Sequence, residues 1–250
     1  MTVTAPHPPH APHRLAGRRV LVPGGTRAVG EGVVRAYLAA GADVVVPTRT
    51  ADRAAELRTA LGAAASDHLH LVEHDCTTFA GAESLVATTI DRLGGVDDVV
   101  APIGGWWAGR ALTEVTPDDW ERAFVGLATA HLAVARAALP HLPPEGAYAV
   151  VVGQSAHHPV PSSGLVSMEQ AAVLMMQRVL AAEKGDRARV FALVLGPVRS
   201  RAAAGEPGWV SADEIGAVAV GLSADPTLRS REVDLADSAA AQDVLRTSGR

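Results

Sequence analysis

Residues 18–30 read RRVLVPGGTRAVG, and this stretch joins a short apolar run to a glycine-rich turn. A helical pattern over residues 29–40 follows directly, so the order is strand, turn, helix. In that order the glycines allow a tight reversal of the chain, and they bring backbone N–H groups and the positive end of a helix close to a pyrophosphate. A glycine string alone is a weak signal, so its weight depends on whether the same order repeats along the chain.

Strand and helix patterns do alternate along the chain. The strands are continuous apolar runs, which is typical of a parallel sheet covered on both faces. The sequence therefore predicts an α/β, Rossmann-type fold with a doubly wound, parallel seven-stranded sheet and helices on both faces. Ligands of such sheets bind at the carboxyl ends of the strands. The predicted strands are residues 18–22, 42–46, 68–72, 97–101, 147–152, 189–195 and 231–236, and the predicted helices are residues 29–40, 51–61, 81–93, 118–138, 164–184 and 211–223.

The composition bounds the domain organisation and the class of partner. A chain of 250 residues, 48% of them hydrophobic, is long enough for one sizeable core. We expect one domain over residues 14–240, a disordered His/Pro-rich tail over residues 1–13 and a C-terminal tail over residues 241–250. The net charge of -5 is modest and the basic residues are scattered, so no nucleic-acid partner is expected.

The cysteine, histidine and hydropathy patterns narrow the classes further. Cys76 is the only cysteine, which excludes an internal disulfide and a thiolate zinc cluster. His7, His10 and His13 lie in the Pro-rich tail, where they either catch a metal ion or are simply disordered; such a tail lacks rigid ligand geometry, and we predict no metal site. Since we identify neither a secretory signal nor an apolar span of membrane length, a cytoplasmic protein without a membrane partner is expected.

The end of the second predicted strand indicates which dinucleotide the turn prefers. Residues 44–50 read VVVPTRT, with no acidic residue to hold the free 2′-hydroxyl of NAD. Arg49 lies there instead, and Arg27 lies in the glycine-rich turn. Two guanidinium groups suit the 2′-phosphate of NADP. The alternative is that both are solvated surface arginines.

Several segments, in order, resemble the short-chain dehydrogenase/reductase family, over residues 15–236. Residues 15–30 resemble the opening strand and TGxxxGxG turn of that family, and residues 73–77, EHDCT, resemble the segment that faces adenine. Residues 116–142 are similar to the long fourth helix, residues 194–200, VLGPVRS, to the segment after strand six, and residues 211–222 to the last helix. The resemblance implies a Rossmann fold and these cofactor contacts: Gly24, Thr26, Arg27, Gly30, Arg49, Asp75, Cys76, Gly104 and Pro197.

The resemblance fails at the catalytic positions. In the family a Tyr passes the proton, a Lys lowers the Tyr pKa, a Ser polarises the carbonyl oxygen and an Asn anchors a proton-relay water. The Tyr and Lys positions align with Val166 and Gln170, and the Asn position aligns with Gly126. The Ser position is either Gly153 by spacing or Ser155 by a shifted loop.

A shifted register does not restore the missing groups. The chain has two tyrosines, one lysine and no asparagine. Tyr37 lies in the first predicted helix, Tyr148 begins the fifth strand and Lys184 ends the long helix. At a rise of about 1.5 Å per residue, Lys184 lies roughly 21 Å along the helix axis from Gln170. Ordinary ketoreductase activity is therefore not expected.

The cofactor turn also departs from the family pattern. The middle glycine position holds Ala28, whose methyl group crowds a site of close approach, and the position before Gly24 holds Pro23, which lacks a backbone N–H donor. The resemblance and the arginines favour NADP(H), whereas these two residues argue against any bound dinucleotide. Both alternatives stay open.

Other polar and aromatic groups follow the strands. Ser155 and His157, after the fifth strand, suggest proton transfer in a non-redox dehydration, isomerisation or cyclisation; the alternative is a solvent-exposed loop, because no carboxylate is identifiable to orient the ring. Trp106 and Trp107 either stack on a flat aromatic ligand or close a gap left without a nicotinamide. The predicted substrate pocket comprises Trp106, Trp107, Gln154, Val166 and Gln170.

Three hypotheses of function follow. The first is a catalytically silent family member that binds a small molecule or NADP(H), or that serves as the structural partner of an active relative. The second is the non-redox enzyme that uses His157 or Ser155, and the third is an NADPH-dependent ketoreductase with an atypical site. The helix near residues 171–182 is apolar on more than one face. This favours a subunit interface in a homodimer, a homotetramer or a hetero-oligomer with an active relative; the alternative is deep burial of the helix within one chain. Glu169 points about 100° away from Gln170 and is expected to face solvent or a partner.

Overall fold

Seven parallel strands form one sheet in the order β3-β2-β1-β4-β5-β6-β9. The computed structural model describes residues 14–201 and 203–247, so the predicted tail over residues 1–13 and its histidines lie outside the described residues. All seven predicted strands are confirmed, and so is the fold class. The strands are β1 (Arg19–Leu21), β2 (Asp43–Thr48), β3 (Leu69–Glu73), β4 (Asp98–Ala101), β5 (Ala147–Gly153), β6 (Arg189–Leu195) and β9 (Glu232–Leu235).

Helices cover both faces of this sheet, because each buries one apolar stripe against it. One core joins the sheet to α1, α2, α7 and α8, and the other core joins it to α3, α5 and α6. The short strands β7 (Val198–Arg199) and β8 (Val210–Ser211) pair with each other in parallel. The helices are α1 (Ala28–Ala39), α2 (Ala51–Leu61), α3 (Phe79–Leu93), α4 (Pro117–Trp120), α5 (Gly126–Ala138), α6 (Gly164–Lys184), α7 (Ala212–Ala224) and α8 (Ser238–Thr247).

Helix α8 corrects the predicted C-terminal tail. Residues 241–247 were expected to lie outside the domain, but they are helical. Ala241 is fully buried, and Val244 and Leu245 pack against the core on the side of α1 and α7. The spacing of these three apolar residues is that of one helical face, and their burial accounts for the helix.

The long fourth helix contains a change of helical pitch. A π-helical turn, Glu121–Val125, lies between α4 and α5, and Gly126 follows it directly. One 18-residue window within the helical stretch Pro117–His141 has a mean hydropathy of 1.4 and is apolar enough to cross a membrane by length and composition alone. Part of this stretch is buried within the fold against α3 and α6, which accounts for its apolar composition.

Candidate cofactor site and active site

The glycine-rich turn after β1 keeps the backbone geometry that the sequence predicts. Gly24 has a φ of +92°, and a Cβ atom there would overlap the carbonyl oxygen of Pro102. A Cβ atom on Gly30 would overlap the carbonyl oxygen of Gly24. Both glycines are therefore required by close packing inside the protein itself. The turn can fold as it does in a nucleotide-binding unit whether or not a nucleotide is bound.

The N-terminus of α1 has no side-chain cap, unlike the N-termini of four other helices. Helices α2, α3, α4 and α7 each begin at a Thr or Ser whose side chain accepts a backbone N–H of the first turn. Helix α1 begins after Arg27, which makes no side-chain cap. Its first-turn N–H groups have no partner within the helix, so they remain available to an anion. The methyl group of Ala28 is exposed at the same position.

The remaining predicted cofactor residues lie at the carboxyl ends of neighbouring strands. Arg49 follows β2 and is exposed, as is Arg27 in the turn. Asp75 follows β3, and its carboxylate accepts a hydrogen bond from the backbone of Thr77 at 3.0 Å. Burial raises the pKa of the Cys76 thiol, and the Asp75 carboxylate acts in the same direction, so this thiol is not activated as a nucleophile. Contact of these residues with a nucleotide remains a prediction.

Two further predicted cofactor residues stand on loops at this edge. Gly104, after β4, has a φ of +149° and open space around it, so a ligand can approach its backbone closely. Pro197, after β6, is exposed. Half-buried Thr26 lies in the glycine-rich turn. The structure thus brings the carboxyl ends of β1 to β4 and β6 to one edge, as expected for a parallel sheet.

The proton-transfer position is closed by uncharged groups. Val166 is 2% exposed, in the first turn of α6. One turn later, the carboxamide oxygen of Gln170 accepts hydrogen bonds from the backbone N–H of Gly153 and, at 3.2 Å, from the Ser155 hydroxyl. A Cβ atom on Gly153 would lie 2.9 Å from that oxygen. Gln170 therefore crowds Gly153, one of the two candidates for the family's serine position, and it ties the loop after β5 to α6 through a hydrogen bond with Ser155, the other candidate.

Tyrosine and lysine side chains are held elsewhere in the fold. Tyr37 is fully buried, and its hydroxyl is 2.6 Å from the Ser223 hydroxyl and donates to the Ala219 carbonyl at 3.1 Å. Tyr148 is fully buried, and burial raises its pKa. Lys184 is the last residue of α6. Tyr37, Tyr148 and Lys184 thus lie on α1, on β5 and at the end of α6, and the assignment of the family's tyrosine and lysine positions to Val166 and Gln170 stays a prediction.

Gly126, which aligns with the asparagine of the family, carries no side-chain functional group. Gly126 directly follows the π-helical turn, and a Cβ atom there would lie 3.2 Å from the carbonyl oxygen of Glu121. Glycine carries no amide to anchor a relay water. In the predicted alignment, three of the four positions that carry the family's chemistry hold valine, glutamine and glycine.

His157 belongs to a different cluster from Ser155. Its Nε2 atom lies 3.3 Å from the carboxylate of Glu232, on the edge strand β9. Arg178 binds the same carboxylate at 2.6 Å and, together with His157, lowers the pKa of Glu232. The expectation that no carboxylate orients this ring is wrong, because Glu232 is distant in sequence and only the sheet brings it near. Gln154 also turns toward β9, with its Nε2 atom 3.4 Å from the Asp234 carboxylate. Because Ser155 points to Gln170, the structure does not bring Ser155 and His157 together.

The two tryptophans have different environments. Trp106 is 68% exposed, so it does not close a gap. Trp107 is half-buried. Hydrogen bonds from Thr116 lower the pKa of the Asp119 carboxylate most, and Arg110 and Trp107 lower it further. Trp107 therefore lies close to Asp119, at the start of α4. Of the two residues, Trp106 alone keeps most of its ring surface available to a ligand.

Glu169 is buried, contrary to the expectation that it faces solvent or a partner. It is 3% exposed, and its Oε1 atom has no hydrogen-bond partner among the described residues. Burial raises the pKa of Glu169 to about 7. It lies on the buried stripe of α6 with Leu165 and Val173, at the i−4 and i+4 positions. The 100° rotation from Gln170 thus turns this carboxyl into the core and not into water.

Comparison with known proteins identifies the family to which this fold belongs. The sequence profile of the family described as enoyl-(acyl carrier protein) reductase matches residues 24–225. Hydroxynaphthalene reductase arp2 of Aspergillus fumigatus is 29% identical over 177 residues, which is 69% of this chain and 63% of that protein. The aligned region is thus less than two thirds of that relative's length. Short chain dehydrogenase/reductase AacuN of Aspergillus aculeatus is 31% identical over 182 residues, 71% of this chain and 67% of that protein.

The solved structures give the same fold. A short chain dehydrogenase from Burkholderia cenocepacia, crystallised in complex with NADP, superposes with a TM-score of 0.80. The two sequences are 23% identical, and the match covers 91% of this chain and 99% of that one. At this identity the likeness concerns the fold alone. Since the family profile matches most of the chain, and a relative above 30% identity matches over two thirds of its own length, the chain belongs to the short-chain dehydrogenase/reductase family.

Proposed function

We propose that this protein is a family member that binds NADP(H) or a similar small molecule and does not carry out the family's ordinary carbonyl reduction. The observation that carries the proposal is the closure of the proton-transfer position by Val166 and Gln170. The carboxamide oxygen of Gln170 already accepts hydrogen bonds from the Gly153 N–H and the Ser155 hydroxyl. Neither Val166 nor Gln170 has a proton that it can release to an alkoxide near neutral pH.

The size of the missing contribution supports this proposal. General acid–base catalysis by a positioned side chain supplies about 100- to 10,000-fold in rate. A neutral amide in place of the lysine removes the positive charge that lowers the pKa of a neighbouring phenol, and valine removes the phenol itself. Positioning of a substrate beside a cofactor would remain, but the proton for the product alcohol would have to come from water.

The cofactor edge supports binding of a nucleotide. The residues present fit the group in two respects: the uncapped N-terminus of α1 offers backbone N–H groups to a pyrophosphate, and Arg27 and Arg49 offer charge to a 2′-phosphate. NADP(H), when bound, supplies the hydride; this chain would hold and orient it. The Burkholderia relative binds NADP on the same fold. Ala28 and Pro23 oppose binding, so we expect an affinity below that of a turn with three glycines.

Restoration of the missing groups tests this proposal. The variant combines Val166→Tyr, Gln170→Lys and Gly153→Ser; the Gln170 change also removes the oxygen that lies 2.9 Å from the new Cβ atom. The matched control carries Val166→Phe with the other two changes, so the two proteins differ by one hydroxyl group. A fluorescence titration measures NADPH binding by both variants, and binding establishes that both are folded.

The readout is NADPH oxidation with a panel of aromatic ketones and quinones. We expect no turnover by the wild type, and about 100-fold faster turnover by the Tyr variant than by the Phe variant. Equal rates in two variants that both bind NADPH would contradict the role given to the missing phenol. Turnover by the wild type at the rate of the Tyr variant would contradict the proposal itself.

A second candidate function, structural partner of an active relative, is favoured by an exposed apolar face. Met168, Met175 and Val179 of α6 are 41%, 52% and 45% exposed, and Leu132 of α5 is 44% exposed. Exposed apolar residues clustered on neighbouring helices mark interaction surfaces. Met175→Glu should shift the mass measured by light scattering from oligomer to monomer; an unchanged mass would remove this support.

A further inference from the structure

A cavity of about 450 Å³ lies between α1 and α7, and none of the predicted cofactor residues lines it. Its volume lies within the range of small-molecule sites, roughly 300–1,000 Å³. The walls come from one stripe of α1, one stripe of α7 and a residue of α8. The apolar lining consists of Ala36, Ala39, Ala40, Ala217, Val220 and Leu245.

Close contact of the two helices creates this space. A Cβ atom on Gly32 would overlap the carbonyl oxygen of Ala212, and a Cβ atom on Gly216 would overlap that of Gly32. The helices therefore touch by backbone at this point. Further along, the alanines are too short to fill the groove that the crossing leaves, so an apolar cleft remains beside the contact.

Some charged side chains of the cavity have a partner within the protein, and others have no partner of opposite charge among the described residues. Arg35 binds Asp213 at 2.5 Å, and it also binds Glu31 at 2.9 Å. Glu214 accepts from Ser211 and from other neutral donors, which lower its pKa. Each acid of the cavity wall is thus already held by a donor of this chain.

Two guanidinium groups of the cavity have no carboxylate partner among the described residues: Arg14, which is exposed, and Arg199, which is half-buried. The Nε atom of Arg199 donates to the carbonyl oxygen of Trp209 at 3.0 Å. Arg199 lines both this cavity and an adjoining cavity that reaches Ala28. A half-buried guanidinium without an anionic partner beside an apolar cleft is complementary to a ligand that combines an apolar body with one negative charge.

We propose that this cavity binds a small amphipathic carboxylate, with its apolar chain between α1 and α7 and its carboxylate at Arg199. None of the predicted cofactor residues lines this cavity, although the adjoining cavity reaches Ala28, and the proposal does not depend on the function proposed above. A carboxylate suits the planar fork of arginine, which can donate two parallel hydrogen bonds. The alanine-rich apolar lining suits an unbranched apolar chain.

Calorimetric titration with decanoate tests this proposal on the full chain. We expect saturable binding that weakens about tenfold in Arg199→Gln, which removes the charge-assisted hydrogen bonds. Ala217→Phe should abolish binding by filling the cleft. The matched controls are Arg58→Gln and Ala55→Phe, two changes on the exposed face of α2, and both should bind decanoate as the wild type does. Decylamine, which has the same chain and the opposite charge, should bind at least tenfold more weakly than decanoate.

Two results would overturn the proposal. One is the absence of saturable decanoate binding, or equal binding by all four variants. The other is a wild-type protein that is dimeric and does not bind decanoate, and whose dimer dissociates in the Ala217→Phe variant. In that case a second copy of the chain, and not a carboxylate, would cover this cleft. Urea unfolding of the Ala217→Phe protein shows whether the variant is folded, so a failure at the cofactor edge does not affect the decanoate result.

Discussion

Replacement of Glu169 by glutamine isolates the energetic effect of a buried carboxyl on α6. The side chain is 3% exposed, its Oε1 atom has no partner among the described residues, and burial raises its pKa from 4.5 to about 7. In the folded protein the carboxyl is neutral below its raised pKa, whereas in the unfolded chain it ionises above about 4.5. Folding above that pH therefore requires the unfolded chain to take up a proton or to bury a charge.

The sign and the size follow from this difference. Because the folded-state pKa is raised, the stability associated with Glu169 is fully present below pH 4.5 and is lost as the pH rises through 7. At 1.36 kcal/mol per unit of pKa, the loss is roughly 3 kcal/mol. Glutamine has nearly the same shape and no charge. The variant should unfold with a free energy near that of the wild type at pH 4.5 and roughly 3 kcal/mol above it at pH 8.

Urea unfolding at a series of pH values measures this difference directly. The control is Glu206→Gln, an exposed residue of the segment between β7 and β8, which should leave the wild-type curve unchanged. Parallel stability curves for the wild type and the Glu169→Gln protein from pH 4.5 to pH 8 would refute the reasoning, because they would mean that Glu169 titrates as a solvated carboxyl does.

Three further changes test the geometry of the fold and the turn. Ala28→Gly should tighten NADPH binding about tenfold in a fluorescence titration, since it removes the exposed methyl group at the start of α1; unchanged affinity would mean that no phosphate approaches there. Gly30→Ala should cost about 1–3 kcal/mol in urea unfolding, because its Cβ atom overlaps the Gly24 carbonyl oxygen, and a wild-type midpoint would show that the turn can relax. Tyr37→Phe should lower the free energy of unfolding by about 1 kcal/mol, since it removes the hydroxyl that contacts Ser223; no change in melting temperature would contradict that bond.

The fold was predictable because its signals are local. A few consecutive residues determine each of the seven apolar runs and each of the helical patterns between them. The C-terminal ends of α3 and α6 coincide with Gly94 and Gly185, as is common for glycine. The missed helix α8 carried a local signal as well, since Ala241, Val244 and Leu245 have the spacing of one helical face.

The candidate site was predictable in part, because some of its features are absences. The lack of a tyrosine and a lysine at Val166 and Gln170 follows from the sequence alone. The partners of the remaining groups do not: Glu232 reaches His157 only because β9 lies beside β6 in the sheet. Likewise, the burial of Glu169 depends on which side of α6 packs against the core, and a single helical angle does not determine this.

The most direct test of the central claim is NADPH oxidation by the purified wild-type protein, measured together with NADPH binding on the same preparation. We expect saturable NADPH binding and no steady oxidation above the buffer rate with any aromatic ketone or quinone, because neither Val166 nor Gln170 can deliver a proton. Steady, substrate-dependent oxidation that follows the protein concentration would contradict the claim.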